Sequence, residues 1–237
     1  MTKNSHIVLI LVGSAILIAV LAWLGTRSSS EVELIPQEVG EESAFMAPLT
    51  TEEQEIVNPS NTNVMNPTAV FTTNQGVIEL ELFEDQMPIT VGNFVVLAES
   101  GFYDNTKFHR VIEGFMIQGG DPNSRGENEA IYGTGGPEEN VSDEFVAGEL
   151  LTNTRGTIAM ANTGQPNSGG SQWFINLVDN TNLDFDKPPA MSKHPVFGRV
   201  TGGMDVVDAI GAVATKSRDI PVDPVVIESI TIVRTES

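Results

Sequence analysis

The spacing of hydrophobic and polar residues changes along this chain, and each change predicts a different element. Residues 77–82 alternate apolar with acidic side chains, which predicts a half-buried β-strand paired with a strand over 70–72 through a turn at 74–76. In residues 88–99 the apolar positions move to helical spacing, so a helix is predicted there with Thr90 as its capping residue. The folded part of the chain is therefore predicted to begin with a hairpin and a helix.

The remainder of the C-terminal part adds short strands and one more helix. Met204, Val207 and Ile210 fall at helical spacing and mark a second short helix. Further strands are predicted over residues 156–161, 172–175, 196–200 and 225–233. Many short strands with only two helices are typical of an antiparallel β-barrel closed at its ends, so the predicted fold class is mainly β.

An apolar run near the N-terminus predicts a membrane anchor. Residues 7–24 are 18 uncharged, mostly apolar residues, close to the roughly 20 that cross a bilayer as a helix. The alternative is a cleaved secretory signal, whose apolar part is usually about 7–15 residues long and ends in small residues. Because the run is longer and residues 22–24 read Ala-Trp-Leu, we predict one uncleaved transmembrane helix within an anchor over 1–27.

The segment over residues 28–68 contains eight glutamates and no lysine or arginine, and it is rich in Ser, Thr, Asn and Pro. Such a composition cannot bury enough apolar surface to offset the entropy of ordering, so it predicts a flexible acidic linker. Residues 69–237 then form the folded domain. Lys3 and Arg27 nearly balance the charges flanking the anchor, and a short inner tail with the domain outside the cytoplasm is the commoner outcome.

Composition excludes several classes of partner and cofactor. The formal net charge of -20 argues against a nucleic-acid partner, which needs clustered Lys and Arg. Because the chain has no cysteine, it can form neither disulfides nor thiolate sites. Its three histidines show no ligand spacing, so the sequence predicts no metal and no cofactor.

The stretch over residues 108–121 carries the most specific chemistry. It places Arg110 and Gln118 close to the large apolar side chains of Phe115 and Met116. A cationic fork beside an apolar pocket suits a substrate with a carbonyl to polarise and an apolar ring to hold. Proline-containing polypeptides have both features, so we predict them as the partners of this site.

The order of the motifs resembles that of the cyclophilins, a family of peptidyl-prolyl cis-trans isomerases. The resemblance covers about 165 residues, from Ala69 to Val233, and rests on four segments in the same order. They are FHRVIEGFMIQGGD at 108–121, MAN at 160–162, GSQWFI at 170–175 and HPVFG at 194–198. The resemblance implies a closed eight-stranded antiparallel β-barrel capped by two α-helices, in agreement with the pattern of predicted elements.

The resemblance also implies a role for each candidate residue. Arg110 is similar to the family's catalytic arginine, and Gln118 would orient it. A proline-ring pocket would be formed by Phe115, Met116, Phe174, Leu183 and His194. Ala161, Asn162 and Gln172 would hold the peptide, the first two through main-chain hydrogen bonds. Without the resemblance, Arg110 could equally form a surface ion pair and the apolar residues would belong to the core.

Two segments depart from the family pattern. Asn182 stands where the family usually carries a Trp before the leucine, so we expect weaker binding of cyclosporin-type inhibitors with isomerisation retained. The loop from Pro122 to Pro137 has additional polar residues, Arg125 to Tyr132, which could reshape the groove beside the site, but we expect a solvated excursion. The leading function is a membrane-tethered, monomeric prolyl isomerase that assists protein folding. The alternative is a slow cyclophilin-like module that only binds proline segments.

Overall fold

The alternation of residues 77–82 becomes the second strand of a curled antiparallel sheet. The computed structural model describes residues 65–188 and 193–235, all within the unit Val57–Ser237. Strand β1 (Thr68–Thr73) pairs with β2 (Gly76–Leu82) through a two-residue turn, as predicted. Ile78, Leu80 and Leu82 are fully buried, whereas Glu79 and Glu81 lie on the other face. One face of this hairpin therefore forms the core.

The first helix has the predicted bounds but a different cap. Helix α1 spans Pro88–Glu99, with proline at its first position, where no N–H is needed. The Thr90 side chain makes no capping hydrogen bond, so that prediction was wrong. Instead, the Glu144 carboxylate accepts hydrogen bonds from the backbone N–H groups of Ile89 (3.1 Å) and Thr90 (2.8 Å). A negative charge at this end also suits the helix dipole.

The remaining elements complete a sheet of nine strands. The second helix, α2, spans Met204–Gly211. The other strands are β3 (Thr106–Lys107), β4 (Arg110–Ile112), β5 (Met116–Gly119), β6 (Thr157–Met160), β7 (Trp173–Asn176), β8 (Val196–Gly202) and β11 (Val226–Val233). A separate two-stranded hairpin pairs β9 (Thr215–Lys216) with β10 (Ile220–Pro221). The nine strands follow the order β3-β11-β1-β2-β8-β6-β7-β5-β4, and every pairing is antiparallel.

The two end strands of this sheet are neighbours in the chain. Only Phe108 and His109 separate β3 from β4, although the strands lie at opposite ends of the pairing order. The sheet is therefore curled, with its two end strands connected through residues 108–109. Counting β3 and β4 as one interrupted strand gives eight strands. The coarse prediction of a mainly β fold with a curled antiparallel sheet and two helices is confirmed, while its closed form stays a prediction.

An aromatic cluster fills the interior of the curled sheet. The indole of Trp173 is fully buried and meets Phe71 and Phe108 edge-on, with ring centroids 5.2 and 5.7 Å apart. Gly119 on the neighbouring strand has to be glycine, because a Cβ there would lie 2.8 Å from the indole. Core packing therefore fixes the position of β7 against β5.

The N-terminal predictions fall mostly outside the described residues. The anchor over 1–27 and the linker up to residue 64 belong to this part of the chain. Within residues 65–188 and 193–235, no helix combines the length and apolar character that a membrane crossing needs. The last residues before β1 contact the sheet, since Pro67 accepts a hydrogen bond from the Leu82 N–H at 2.9 Å.

Candidate active site

The outer face of strands β4, β5 and β7 brings several predicted site residues together. Arg110 lies opposite Gln118 in the β4–β5 pairing, and Gln118 lies opposite Phe174 in the β5–β7 pairing. Opposed residues of antiparallel strands share a face, as do residues two apart, so Met116 belongs to the same face. The intervening residues point into the core and are fully buried: Val111, Ile117 and Ile175. The arginine and part of the apolar pocket are thus positioned by strand register alone.

A chain of polar contacts orients the Arg110 guanidinium. Its Nη1 donates to Gln118 Oε1 at 3.5 Å, and its Nε lies 3.4 Å from Asp219 Oδ2. Gln118 Nε2 donates to Gln172 Oε1 at 3.0 Å, and Gln172 Nε2 donates to the Gly135 carbonyl at 2.8 Å. The Arg110 side chain is still 43% exposed. It is therefore held on one side and accessible on the other.

The predicted proline-ring residues form an apolar wall beside this chain of contacts. Met116, Phe174 and Leu183 are buried in one cluster, and Phe115 packs against it half-buried. The His194 ring meets Phe174 edge-on, with ring centroids 5.3 Å apart. The His194 backbone N–H also donates to the Leu183 carbonyl at 3.1 Å, and Met116 shares a face of the sheet with Phe174.

The His194 ring is held in one neutral form. Its Nδ1 lies 3.0 Å from the Met160 carbonyl oxygen, which can only accept a hydrogen bond. Burial lowers the pKa of His194, against the opposing effect of this hydrogen bond. The His194 ring is therefore neutral near pH 7 and carries its proton on Nδ1. It meets Phe174 as an uncharged ring.

A buried polar network supports the apolar wall from behind. Asn180 Nδ2 donates to the Phe115 carbonyl at 2.9 Å, and Asn153 Nδ2 donates to the His194 carbonyl at 3.0 Å. Asn176 joins these two amides, accepting from Asn180 Nδ2 at 2.8 Å and donating to Asn153 Oδ1 at 3.1 Å. The backbones of Phe115 and His194 are thereby tied to the same network.

Asp184 is the charged member of this network. Its Oδ1 accepts hydrogen bonds from both the backbone N–H and the Nδ2 of Asn153, each at 2.8 Å. Its Oδ2 accepts from the Thr152 hydroxyl. Sequence reasoning missed this role. In the sequence, Asp184 is marked only by its position directly after Leu183. That position does not indicate a contact with Asn153, which lies 31 residues away.

An open cleft of about 550 Å³ lies next to Gln118 and Gln172. Residues 133–137, Ala161 and Asn162 also line it. Its volume is within the usual range of ligand sites. The predicted peptide-holding residues therefore border a cavity.

The two predicted peptide-binding groups differ in what they can offer. The Ala161 N–H already donates to the Gln172 carbonyl at 2.9 Å, so only the Ala161 carbonyl can serve a peptide. The Asn162 side chain is also engaged, donating to the Lys193 carbonyl at 2.6 Å and accepting from the Gly164 N–H at 3.0 Å. These contacts fix the Asn162 side chain, so a peptide would use its main chain.

Within the segment over residues 122–137, the expected solvated excursion is found at residues 125–128, 130 and 131, which are exposed, whereas residues 133–137 line the cleft. The fully buried Asp121 carboxylate accepts hydrogen bonds from the N–H groups of Asn123 (2.8 Å), Gly133 and Gly135 (3.1 Å). A Cβ at Gly135 would lie 2.2 Å from Asp121 Oδ1, so only glycine fits there. These hydrogen bonds to Asp121 fix the backbone of the segment. The Gly135 carbonyl is thereby positioned to accept the hydrogen bond from Gln172.

Asp219 is the second residue that sequence reasoning missed. It lies 109 residues from Arg110, in the polar stretch between β9 and β10. The sequence indicated that Arg110 could form an ion pair, but not with which acid among the many in the chain. The structure places the carboxylate at the Nε edge of the guanidinium, beside the site and not away from it.

His109 should make the stability of the fold depend on pH. Its ring is 4% exposed, and neither nitrogen has a hydrogen-bond partner among residues 65–188 and 193–235. Burial lowers the pKa of His109 from 6.5 to about 4. The unfolded chain therefore binds a proton between pH 6.5 and 4 that the folded chain excludes. We expect the free energy of unfolding to fall by about 3 kcal/mol across this window from His109 alone.

Chemical denaturation of the chain and of His109→Gln between pH 7 and pH 4 checks this expectation. The variant should lose less stability as the pH falls, because its side chain does not titrate. Equal pH dependence in both proteins would contradict the assignment, since every other titrating group is shared.

Comparisons with known proteins agree with this fold. The family model for "Cyclophilin type peptidyl-prolyl cis-trans isomerase/CLD" matches residues 68–232. Peptidyl-prolyl cis-trans isomerase B of Escherichia coli (strain K12) is 44% identical over 167 residues, 68% of this chain and 97% of that protein. The probable peptidyl-prolyl cis-trans isomerase A of Mycobacterium leprae is 42% identical over 190 residues, 73% of this chain and 96% of that protein.

A solved structure gives the same result. The crystal structure of a cyclophilin type peptidyl-prolyl cis-trans isomerase from Cryptosporidium parvum, in the presence of the dipeptide Ala-Pro, matches with a TM-score of 0.59. The two sequences are 30% identical in this match, which covers 71% of this chain and 99% of the Cryptosporidium chain. The family model and the relatives span nearly the whole described domain, so this chain belongs to the cyclophilin family of peptidyl-prolyl cis-trans isomerases.

Proposed function

We propose that this isomerase accelerates X–Pro bond rotation by directing the Arg110 guanidinium at the prolyl nitrogen. The planar amide resists rotation with a barrier of about 18–20 kcal/mol. As the bond twists, the nitrogen loses conjugation and becomes a better hydrogen-bond acceptor. A guanidinium placed at that nitrogen stabilises the twisted state more than the planar one, which is the requirement for catalysis.

The observation that carries this proposal is the placement of an oriented, accessible cation beside an apolar wall. Gln118 and Asp219 hold two edges of the Arg110 guanidinium, while 43% of the side chain stays exposed. Met116 and Phe174 share its face of the sheet. A proline ring against these residues would bring its nitrogen towards the arginine.

The rest of the peptide would follow the cleft. Gln172 is fixed by Gln118 and by the Gly135 carbonyl, and we assign it to the peptide backbone. The carbonyl of Ala161 and the main chain of Asn162 would bind the residues next to the proline. No proton transfer is needed, because rotation breaks no bond, and a neutral His194 serves only as a side of the ring pocket.

A rate measurement separates catalysis from simple binding. The full chain should accelerate the cis-to-trans relaxation of a short X–Pro peptide, which otherwise takes about tens to hundreds of seconds. A module that only docks proline segments would bind the same peptide and leave its relaxation rate unchanged. Binding without acceleration would reject the proposed mechanism, although the fold assignment would still hold.

We further propose that the isomerase is a monomer tethered to a membrane by the helix predicted over residues 7–24. Its domain would lie outside the cytoplasm and assist protein folding there. The 18-residue apolar run and the poor cleavage site support the tether. Protease added to intact cells should degrade the domain. Protection of the domain in intact cells, with digestion after lysis, would overturn the assigned side.

The charge of the domain bears on its clients. Residues 69–237 contain 24 acidic and 10 basic side chains, a net charge of -14. Basic or neutral proline segments should therefore be favoured over acidic ones at low salt, and the preference should fade as salt screens the field.

Asn182 should weaken cyclosporin-type inhibitors. It is exposed in the turn Thr181–Leu183, next to the pocket residue Leu183. The Trp usual in the family would supply a large contact surface and an indole N–H donor that Asn182 lacks. We expect Asn182→Trp to tighten cyclosporin binding by about tenfold or more with little change in peptide turnover. Strong inhibition of the unmodified chain at stoichiometric drug would contradict this expectation.

A further inference from the structure

The backbone beside Arg110 adopts an unusual conformation. Arg218 and Asp219 are consecutive non-glycine residues with positive φ values of 67° and 59°. The left-handed region is unfavourable for residues with a Cβ, and two in succession are rarer still. Such a conformation persists only where the surroundings enforce it, and it occurs most often at functional sites.

Arg218 supplies the contacts that enforce it. Its Nη1 donates to the carbonyls of Glu129 (2.8 Å) and Ala130 (3.2 Å), and its Nη2 donates to the Tyr132 carbonyl (2.7 Å). A neighbouring ion pair, Lys216 Nζ to Glu129 Oε1 at 2.7 Å, ties the same two segments together. The turn at residues 216–219 is thus connected by hydrogen bonds and an ion pair to residues 129–132, directly before the residues that line the cleft.

The consequence of this turn is the direction of the Asp219 side chain. Its carboxylate reaches the Nε edge of Arg110, and Gln118 takes Nη1 from the other side. Among the residues that the structure describes, Arg110 Nη2 has no hydrogen-bond partner. A cavity of about 380 Å³ is bordered by Arg110, Gln118 and Asp219. Two edges of the guanidinium therefore have partners, and the side chain as a whole is 43% exposed beside a cavity.

We propose that Asp219 is a positioning residue for the isomerisation, and the proposal rests on the function assigned to Arg110. An arginine side chain has four rotatable bonds, so an unrestrained guanidinium would spend much of its time misdirected. Gln118 alone makes one long contact at 3.5 Å and cannot fix the plane of the group. The ion pair with Asp219, of similar length at 3.4 Å, adds a second contact at another edge of the guanidinium, and the turn holds Asp219 in place.

The substitution Asp219→Asn tests the proposal, because asparagine tolerates positive φ and keeps the side-chain shape. Asp219→Gly is the second variant, since it accepts the same backbone without a side chain. The control is Asp223→Asn, the same change of charge at an exposed residue four positions away. All are made in the full chain and compared with Arg110→Ala.

Three measurements are made on each protein: kcat and KM for an X–Pro peptide, the thermal unfolding midpoint, and the NMR resonance of the Arg110 Nε–H. Exposed ion pairs have modest effects, so we expect kcat to fall about threefold to fivefold in both Asp219 variants, with KM nearly unchanged. The Nε–H resonance should move, and the unfolding midpoint of Asp219→Asn should stay the same. Asp223→Asn should match the unmodified chain in every respect.

Each contrary outcome has a distinct meaning. Suppose that Arg110→Ala is inactive. The positioning role is then overturned if the Nε–H resonance does not move in Asp219→Asn, or if the kcat of this variant is equal to or above that of the unmodified chain. The same fall in kcat in Asp223→Asn overturns it too, because the effect would then be one of net charge. Full activity of Arg110→Ala overturns the proposed mechanism itself and the role of Asp219 with it.

Discussion

Replacing Arg110 with alanine should lower kcat/KM for an X–Pro peptide by about 10²- to 10³-fold. This is the usual cost of removing one preorganised donor from a developing charge in a transition state. The fold should tolerate the change, because Arg110 lies on the outer face and the buried side chain of β4 is Val111. We expect a change of about 0.5 kcal/mol or less in the free energy of unfolding. Relaxation of the peptide followed by absorbance or NMR, together with chemical denaturation, gives both quantities.

Two further variants show whether the guanidinium itself matters. Arg110→Lys keeps the charge but loses the planar fork, so it should recover only part of the activity. Arg199→Ala removes an arginine of similar exposure, 48% against 43%, which pairs with Glu81 on a distant part of the sheet. It should be fully active. If Arg110→Ala and Arg199→Ala had the same kcat/KM, the arginine mechanism would be excluded.

Local periodicity was enough to predict most of the fold. The alternation in β2 and the helical spacing in α1 each depend on neighbours within a few residues, so their bounds follow from the sequence. The cap of α1 did not follow. Thr90 suits a capping position by residue type, but Glu144, 54 residues further on, reaches the free N–H groups first. A tertiary contact replaced the local one.

The site shows the same division between local and distant information. Arg110 and Gln118 are eight residues apart on one hairpin, so their contact follows from strand register. The contact with Asp219 spans 109 residues and leaves no pattern in the sequence. In the segment over 122–137, residues 125–128, 130 and 131 are exposed as expected, but the N–H groups of Asn123 and Gly135 donate to Asp121. Polar composition alone could not distinguish these two outcomes.

Replacing Asp184 with alanine should destabilise the protein by about 3 kcal/mol or more. The carboxylate is 4% exposed and accepts two hydrogen bonds from Asn153 and one from Thr152. Its removal leaves several buried donors without an acceptor, each costing about 1–3 kcal/mol. Rearrangement and water entry would recover part of that sum. Asp184→Asn should lose less, because one amide oxygen can still accept from Asn153.

The same substitution should also loosen the ring pocket. Asn153 holds the His194 carbonyl and joins, through Asn176, the network that holds the Phe115 carbonyl. When Asn153 loses its acceptor, both sides of the pocket lose a common support, so KM for an X–Pro peptide should rise at temperatures where the variant is folded. The control is Asp186→Ala, two residues away and exposed, whose carboxylate pairs only with its neighbour Lys187 among the described residues. Equal stability and equal KM in the two variants would show that the buried network supports neither the fold nor the pocket.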